Sequence, residues 1–91
     1  MIKGMFFPCI DNVPVLLEVD NHTFLPIFSS IDKLHIAADV FSFENASIKS
    51  IENVDDFEKS VIESRKGFDD FDVILDPHIE DGRTQFNLVK F

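Results

Sequence analysis

The sequence has no tryptophan, no tyrosine, one cysteine and three glycines. Each shortage removes a class of function. With Cys9 as the only thiol, neither an internal disulfide nor a cysteine-based zinc cluster can form. A small domain without disulfides fits a reducing compartment, so a cytoplasmic location is expected. Gly4, Gly67 and Gly82 are too few and too dispersed to build a phosphate-cradling loop, and GxGxxG, P-loop and GxSxG patterns are missing. Cations are scarce as well. Lys and Arg total 8 against 17 Asp and Glu, a formal charge of −9. The cations are scattered singly from Lys3 to Lys90, apart from the Arg65-Lys66 pair, and form no basic stripe. Direct binding to nucleic acid or to an anionic membrane surface is therefore not expected. No apolar run approaches the roughly 20 residues that span a bilayer. The apolar start of the chain is broken by Pro8 and Asp11, which argues against a secretory leader.

What the chain does have is apolar bulk. It is 91 residues long, 45% hydrophobic, with 11 Phe. That length makes one domain, residues 1–91, with a single core. Phe carries no polar handle, so a Phe-rich, Tyr-free composition points to dry packing more than to a wet recognition surface. The acidic balance keeps such a chain in solution.

Along the chain, short strand and helix signals alternate. Residues 5–10 form an apolar run closed by Asp11-Asn12; Pro8 lacks an N–H and should place this strand at a sheet edge or bulge. Residues 14–19 and 23–28 follow, separated by Asp20-Asn21-His22, and the three runs read as an antiparallel meander. Ser29 is the expected N-cap of a first helix, with Asp32 as its capping-box partner and Ile31, Leu34, Ala37, Ala38 and Phe41 on one face. Residues 44–51 suit an edge strand with one wet face. Asn53 should cap a second helix carrying the stripe Val54, Phe57, Val61 and Ile62. Asp55, Asp56 and Glu58 lie in its first turns, Arg65 and Lys66 in its last, and Gly67 at C′. Val73-Ile74-Leu75 reads as a buried strand ending at Asp76-Pro77. Asp81-Gly82 is a type I′ hairpin signal leading to a last strand over 84–91. The expected fold is α+β: a mixed, largely antiparallel sheet of five to six strands with two helices packed on one face.

Two of these segments resemble a known family. Leu25-Pro26-Ile27-Phe28-Ser29-Ser30, strand into capped helix, is similar to the Leu-Pro-Val-Phe-Thr-Ser segment of the SseB (enhanced serine sensitivity) family, in its N-terminal domain. Val73-Ile74-Leu75-Asp76-Pro77 is similar to that family's buried strand ending in Asn-Pro, with Asp76 in place of the Asn. The order and spacing agree over residues 25–77. The resemblance implies an α/β domain with no established enzymatic activity and no catalytic residues to carry over.

The candidates for chemistry are few. His22, His35 and His78 form no HxxxH or HExxH pair, so no metal site follows from their spacing and no cofactor is expected. Asp76-Pro77-His78 is the sharpest cluster, because it lies past the end of a buried strand. There Asp76 could orient His78 as a general base; the plainer account has Asp76 accepting nearby backbone N–H groups at a strand end. Cys9, between Pro8 and Ile10, reads as a core thiol. Asp55, Asp56, Asp69, Asp70 and Asp72 lack the spacing of a calcium loop; Asp55 and Asp56 read as first-turn helix charges and Asp69-Asp70 as a solvated loop.

The expected function is a non-catalytic interaction or structural domain, with a protein partner or a second copy of itself. Two alternatives stand beside it. One is a small ligand-binding protein or enzyme using Asp76 and His78. The other is an acidic inhibitor that imitates nucleic acid.

Overall fold

A computed structural model describes residues 2–65 and 71–90, leaving aside the side chains of 64 and 65. Seven strands and two helices follow in the order β1 (Phe6–Ile10), β2 (Val13–Pro14), β3 (Leu17–Val19), β4 (His22–Ile27), α1 (Ile31–Phe41), β5 (Ser47–Ser50), α2 (Val54–Arg65), β6 (Asp72–Glu80) and β7 (Arg83–Val89). The class is α+β, as expected, but the strands form two sheets and not one. Their orders are β2-β1-β5 and β3-β4-β6-β7. Among the described residues only β4 and β6 pair in parallel.

Local chemistry explains the hairpins. β1–β2, β3–β4 and β6–β7 each turn through two residues, Asp11-Asn12, Asp20-Asn21 and Asp81-Gly82, between the paired ends Ile10/Val13, Val19/His22 and Glu80/Arg83. All six turn residues have positive φ. That is the type I′ geometry, which Asp, Asn and Gly enter at least cost and whose twist matches the strands.

The expected strand over 14–19 is divided. Val13 and Pro14 pair with β1, whereas Leu17 to Val19 pair with β4, so this short segment carries the chain from one sheet into the other. The sheets also touch where Phe6 and Phe28 exchange backbone hydrogen bonds of 2.8 and 2.7 Å.

Pro8 does not put its strand at an edge: β1 is the middle strand of its sheet. By strand alternation the polar groups of Phe6 and Pro8 face the same side. There Phe6 bonds Phe28, and the Pro8 carbonyl accepts the N–H of Val15 at 2.9 Å. Pro8 lies opposite Val15, so its missing N–H removes the reciprocal half of that pair, and the paired run of β2 covers only Val13 and Pro14.

The helices do not share one face. Leu34, Ala37 and Ala38 of α1 pack with Leu17, Phe28 and Phe43. Phe57 and Val61 of α2 pack with Ile2, Leu25, Ile27, Ile51, Phe71 and Val73. Leu17 stands opposite Phe24 in the β3–β4 ladder and so shares its face. Leu25 and Ile27 alternate with Phe24 and point the other way. α1 therefore covers one side of the four-stranded sheet and α2 the other, with Leu25, Pro26, Ile27 and Phe28 all buried between them.

Ser30, not Ser29, is the N-cap of α1; its hydroxyl accepts the Lys33 N–H at 3.2 Å. Ser42, with φ 63°, ends that helix. Asn53 caps α2 as expected, accepting the Asp56 N–H at 3.1 Å. Ile62 leaves the expected stripe and is 54% exposed. Lys66, Gly67, Asp69, Asp70 and Phe91 lie outside the described residues, as does the Arg65 side chain. β5 is an edge strand with one half-buried side chain, Ile48, as its alternation implied. No helix among the described residues is long and apolar enough to cross a membrane.

Candidate functional site

β6 does not end at Asp76-Pro77. It continues to Glu80 through a register irregularity between Leu75 and His78. The irregularity has a local cause. Asp76 takes φ 50°, a left-handed conformation that breaks the pleat, and Pro77 cannot donate to the ladder. Asp tolerates that conformation better than most side chains do. Pro77 itself is buried.

The bulge aims the Asp76 carboxylate at the start of α1. One oxygen accepts the backbone N–H of Ser29 at 2.8 Å, and the other accepts the Ser29 hydroxyl at 2.7 Å. Lys33 Nζ lies 3.4 Å from that second oxygen and 3.3 Å from Ser29 Oγ. Thus Asp76 does accept a backbone N–H, but from 47 residues away. The carboxylate joins β6 to the residue before the α1 N-cap, where negative charge is favoured by the helix dipole.

His78 is oriented through a different group. Its Nδ1 lies 2.9 Å from the Asp76 backbone carbonyl, an acceptor, so Nδ1 carries the proton in that contact. Its Nε2 lies 3.6 Å from Glu80 Oε2. The Asp76 carboxylate and the His78 ring therefore do not form a hydrogen-bonded acid–base pair. They do share a recess of about 350 Å³, lined by Lys33, Ile36, Asp76, Pro77, His78 and Asn87.

The other candidates are apart from this recess. Cys9 is 2% exposed. Burial pushes its thiol above its ordinary value of 9.0 and outweighs the Lys49 ammonium, which pulls the other way. A protonated, buried thiol is a poor nucleophile. His35 is exposed on α1, and His22 is exposed at the first residue of β4. Among the described residues no three His, Cys, Asp or Glu side chains gather to hold a metal ion.

Ser29, Lys33 and Asn87 join the site without having been singled out from the sequence. Ser29 had a competing local explanation as a helix cap. Its four-residue separation from Lys33 is the one signal that couples them. Comparison with protein-family models, with curated proteins and with solved structures gives no match.

Proposed function

We propose that this chain is a non-catalytic interaction or structural domain whose partner is a protein or a second copy of itself. The observation that carries the reading is the use of Asp76. Its carboxylate, the one acid that sequence reasoning placed beside a histidine, is held by Ser29 and Lys33 as a strut between β6 and α1. A group so engaged serves the fold. Apolar surface supplies further support: Ile36 and Val40, one turn apart on α1, are 63% and 49% exposed. The resemblance of residues 25–77 to the SseB N-terminal domain agrees with this reading, because it brings no catalytic residues.

Sedimentation at several concentrations, together with binding of an apolar dye to the native protein, tests the proposal. Concentration-dependent association or native-state dye binding is expected, and the pair Ile36→Glu with Val40→Lys should diminish it without changing the circular dichroism. A monomer at every concentration that binds no dye would count against an interaction domain.

The recess beside α1 favours one second reading, a small-ligand site using Asp76 and His78. Its signature would be a ligand that shifts the NMR resonances of His78 and Asn87 together. The acidic-inhibitor reading gains nothing comparable. Among the described residues the exposed carboxylates are spread over three hairpin turns, β3, both helices, β6 and the loops at Glu44 and Glu52.

A further inference from the structure

The two ends of the four-stranded sheet meet where a flat sheet would hold them apart. Phe24 stands opposite Asp72 in the β4–β6 ladder, and Val73 stands opposite Val89 in the β6–β7 ladder. Phe86 therefore lies four residues along from the position level with Phe24, and two strands across. In a flat ladder that is about 16 Å between backbones. Yet the Phe24 and Phe86 rings are 4.9 Å apart. Gly82, at the far tip of the hairpin, lines one groove of about 630 Å³ with Val19, Asp20 and His22, which lie at the opposite end of β4. The β6–β7 hairpin must therefore curl back across the sheet, and the bulge at Asp76 and Pro77 is where its ladder breaks.

Beyond that bulge the hairpin is thinly attached. His78, Ile79, Glu80, Asp81, Gly82, Arg83 and Gln85 are all exposed, and only Thr84 and Phe86 are half-buried. Its base is different in kind: Val73 and Ile74 are buried in the core, and Asp76 is fastened to Ser29. A segment with few buried apolar contacts and an exposed backbone opens at lower free energy than the core it adjoins.

We infer that residues 78–86 form a strap that opens as a unit, pivoting at Asp76-Pro77 and clasped by Phe86 against Phe24. Opening uncovers Phe24, 8% exposed when the strap is closed, and widens the groove between the strap and the β3–β4 turn. The strap thereby gates an apolar surface that the closed fold conceals.

Native-state hydrogen exchange on the whole chain, followed by mass spectrometry through a series of low denaturant concentrations, tests this. Amides of 78–85 should exchange faster than those of 24–27 and 73–75, with a weaker dependence on denaturant. Phe86→Ala should raise exchange in 78–85 by about tenfold, the scale of one lost aromatic pair and its burial, and leave 73–75 unchanged. Either of two results would overturn the inference: strap amides that share the denaturant dependence of the core, or a Phe86→Ala variant whose exchange rises equally throughout.

Discussion

Replacing Asp76 offers the most direct measure of what the bulge does. The carboxylate accepts two hydrogen bonds from Ser29, at 2.8 and 2.7 Å, with Lys33 Nζ at 3.4 Å. A hydrogen bond to a charged group contributes about 1.5–3 kcal/mol. Ser29 is exposed and the Asp76 side chain keeps 19% of its surface, so the low end of that range applies. The Lys33 side chain is 58% exposed, and such a pair adds only about 0–1 kcal/mol. Because Ser29 can turn to water once the carboxylate is gone, the contributions do not sum in full. Asp76→Ala is expected to cost about 2–3 kcal/mol, part of it from placing alanine at φ 50°. Asp76→Asn keeps one acceptor and tolerates the same backbone, and should cost about 1 kcal/mol. Asp76→Gly loses the same hydrogen bonds as alanine but escapes the left-handed strain, so it should be more stable than Asp76→Ala by up to about 1 kcal/mol. Urea unfolding of the three variants and the wild type reads these differences at constant slope. In a cycle with Ser29→Ala, the coupling to Asp76→Ala should be about 1 kcal/mol. Three variants within about 0.5 kcal/mol of wild type, or additive behaviour in the cycle, would show that the contact does not hold β6 to α1.

Three further outcomes follow from burial. Cys9 should resist a thiol reagent in the native protein and react at the rate of a free thiol in denaturant, and rapid native labelling would contradict its position. The folded pKa of that thiol is raised, so the folded state holds its proton more tightly than the unfolded state. Its contribution is intact at neutral pH and is lost as pH rises from the unfolded value near 9.0 through the folded one. Wild type should therefore lose stability relative to Cys9→Ala on going from pH 8 to pH 11, as read by urea midpoints; parallel profiles would refute this. On α2, Val61→Ala should cost about 1–3 kcal/mol and Ile62→Lys under about 0.5 kcal/mol, because their exposures are 2% and 54%. Equal thermal midpoints for those two variants would place the buried face wrongly.

Local features were legible in the sequence. Asp81-Gly82 and Asn53 act as their neighbours imply, because turn chemistry and capping are decided within a few residues. Asp76-Pro77 was legible only in part. A left-handed aspartate before a proline ends a strand or bulges it with the same local chemistry. The choice between those outcomes rests on Ser29, 47 residues earlier, and on the pairing of His78 with Gln85. Ser29 and Ser30 present the same limit: either can cap a helix, and the distant carboxylate holds the first and leaves the second to act as N-cap.

The placement of the helices had a signal that a single-faced sheet cannot produce. A strand with one wet face alternates apolar and polar residues; a strand covered on both faces does not. Phe24 to Ile27 and Val73 to Leu75 are uninterrupted apolar runs, and they belong to β4 and β6, the two parallel neighbours at the centre of their sheet. Ser47 to Ser50, on an edge, alternates. Parallel pairing requires a crossover, and here the crossover holds both helices and β5 between its two strands. With one helix on each side, the parallel pair has no wet face, and the apolar runs are the record of that burial. The same arrangement confines what is left for function to the periphery, where the recess beside α1 and the curled hairpin lie.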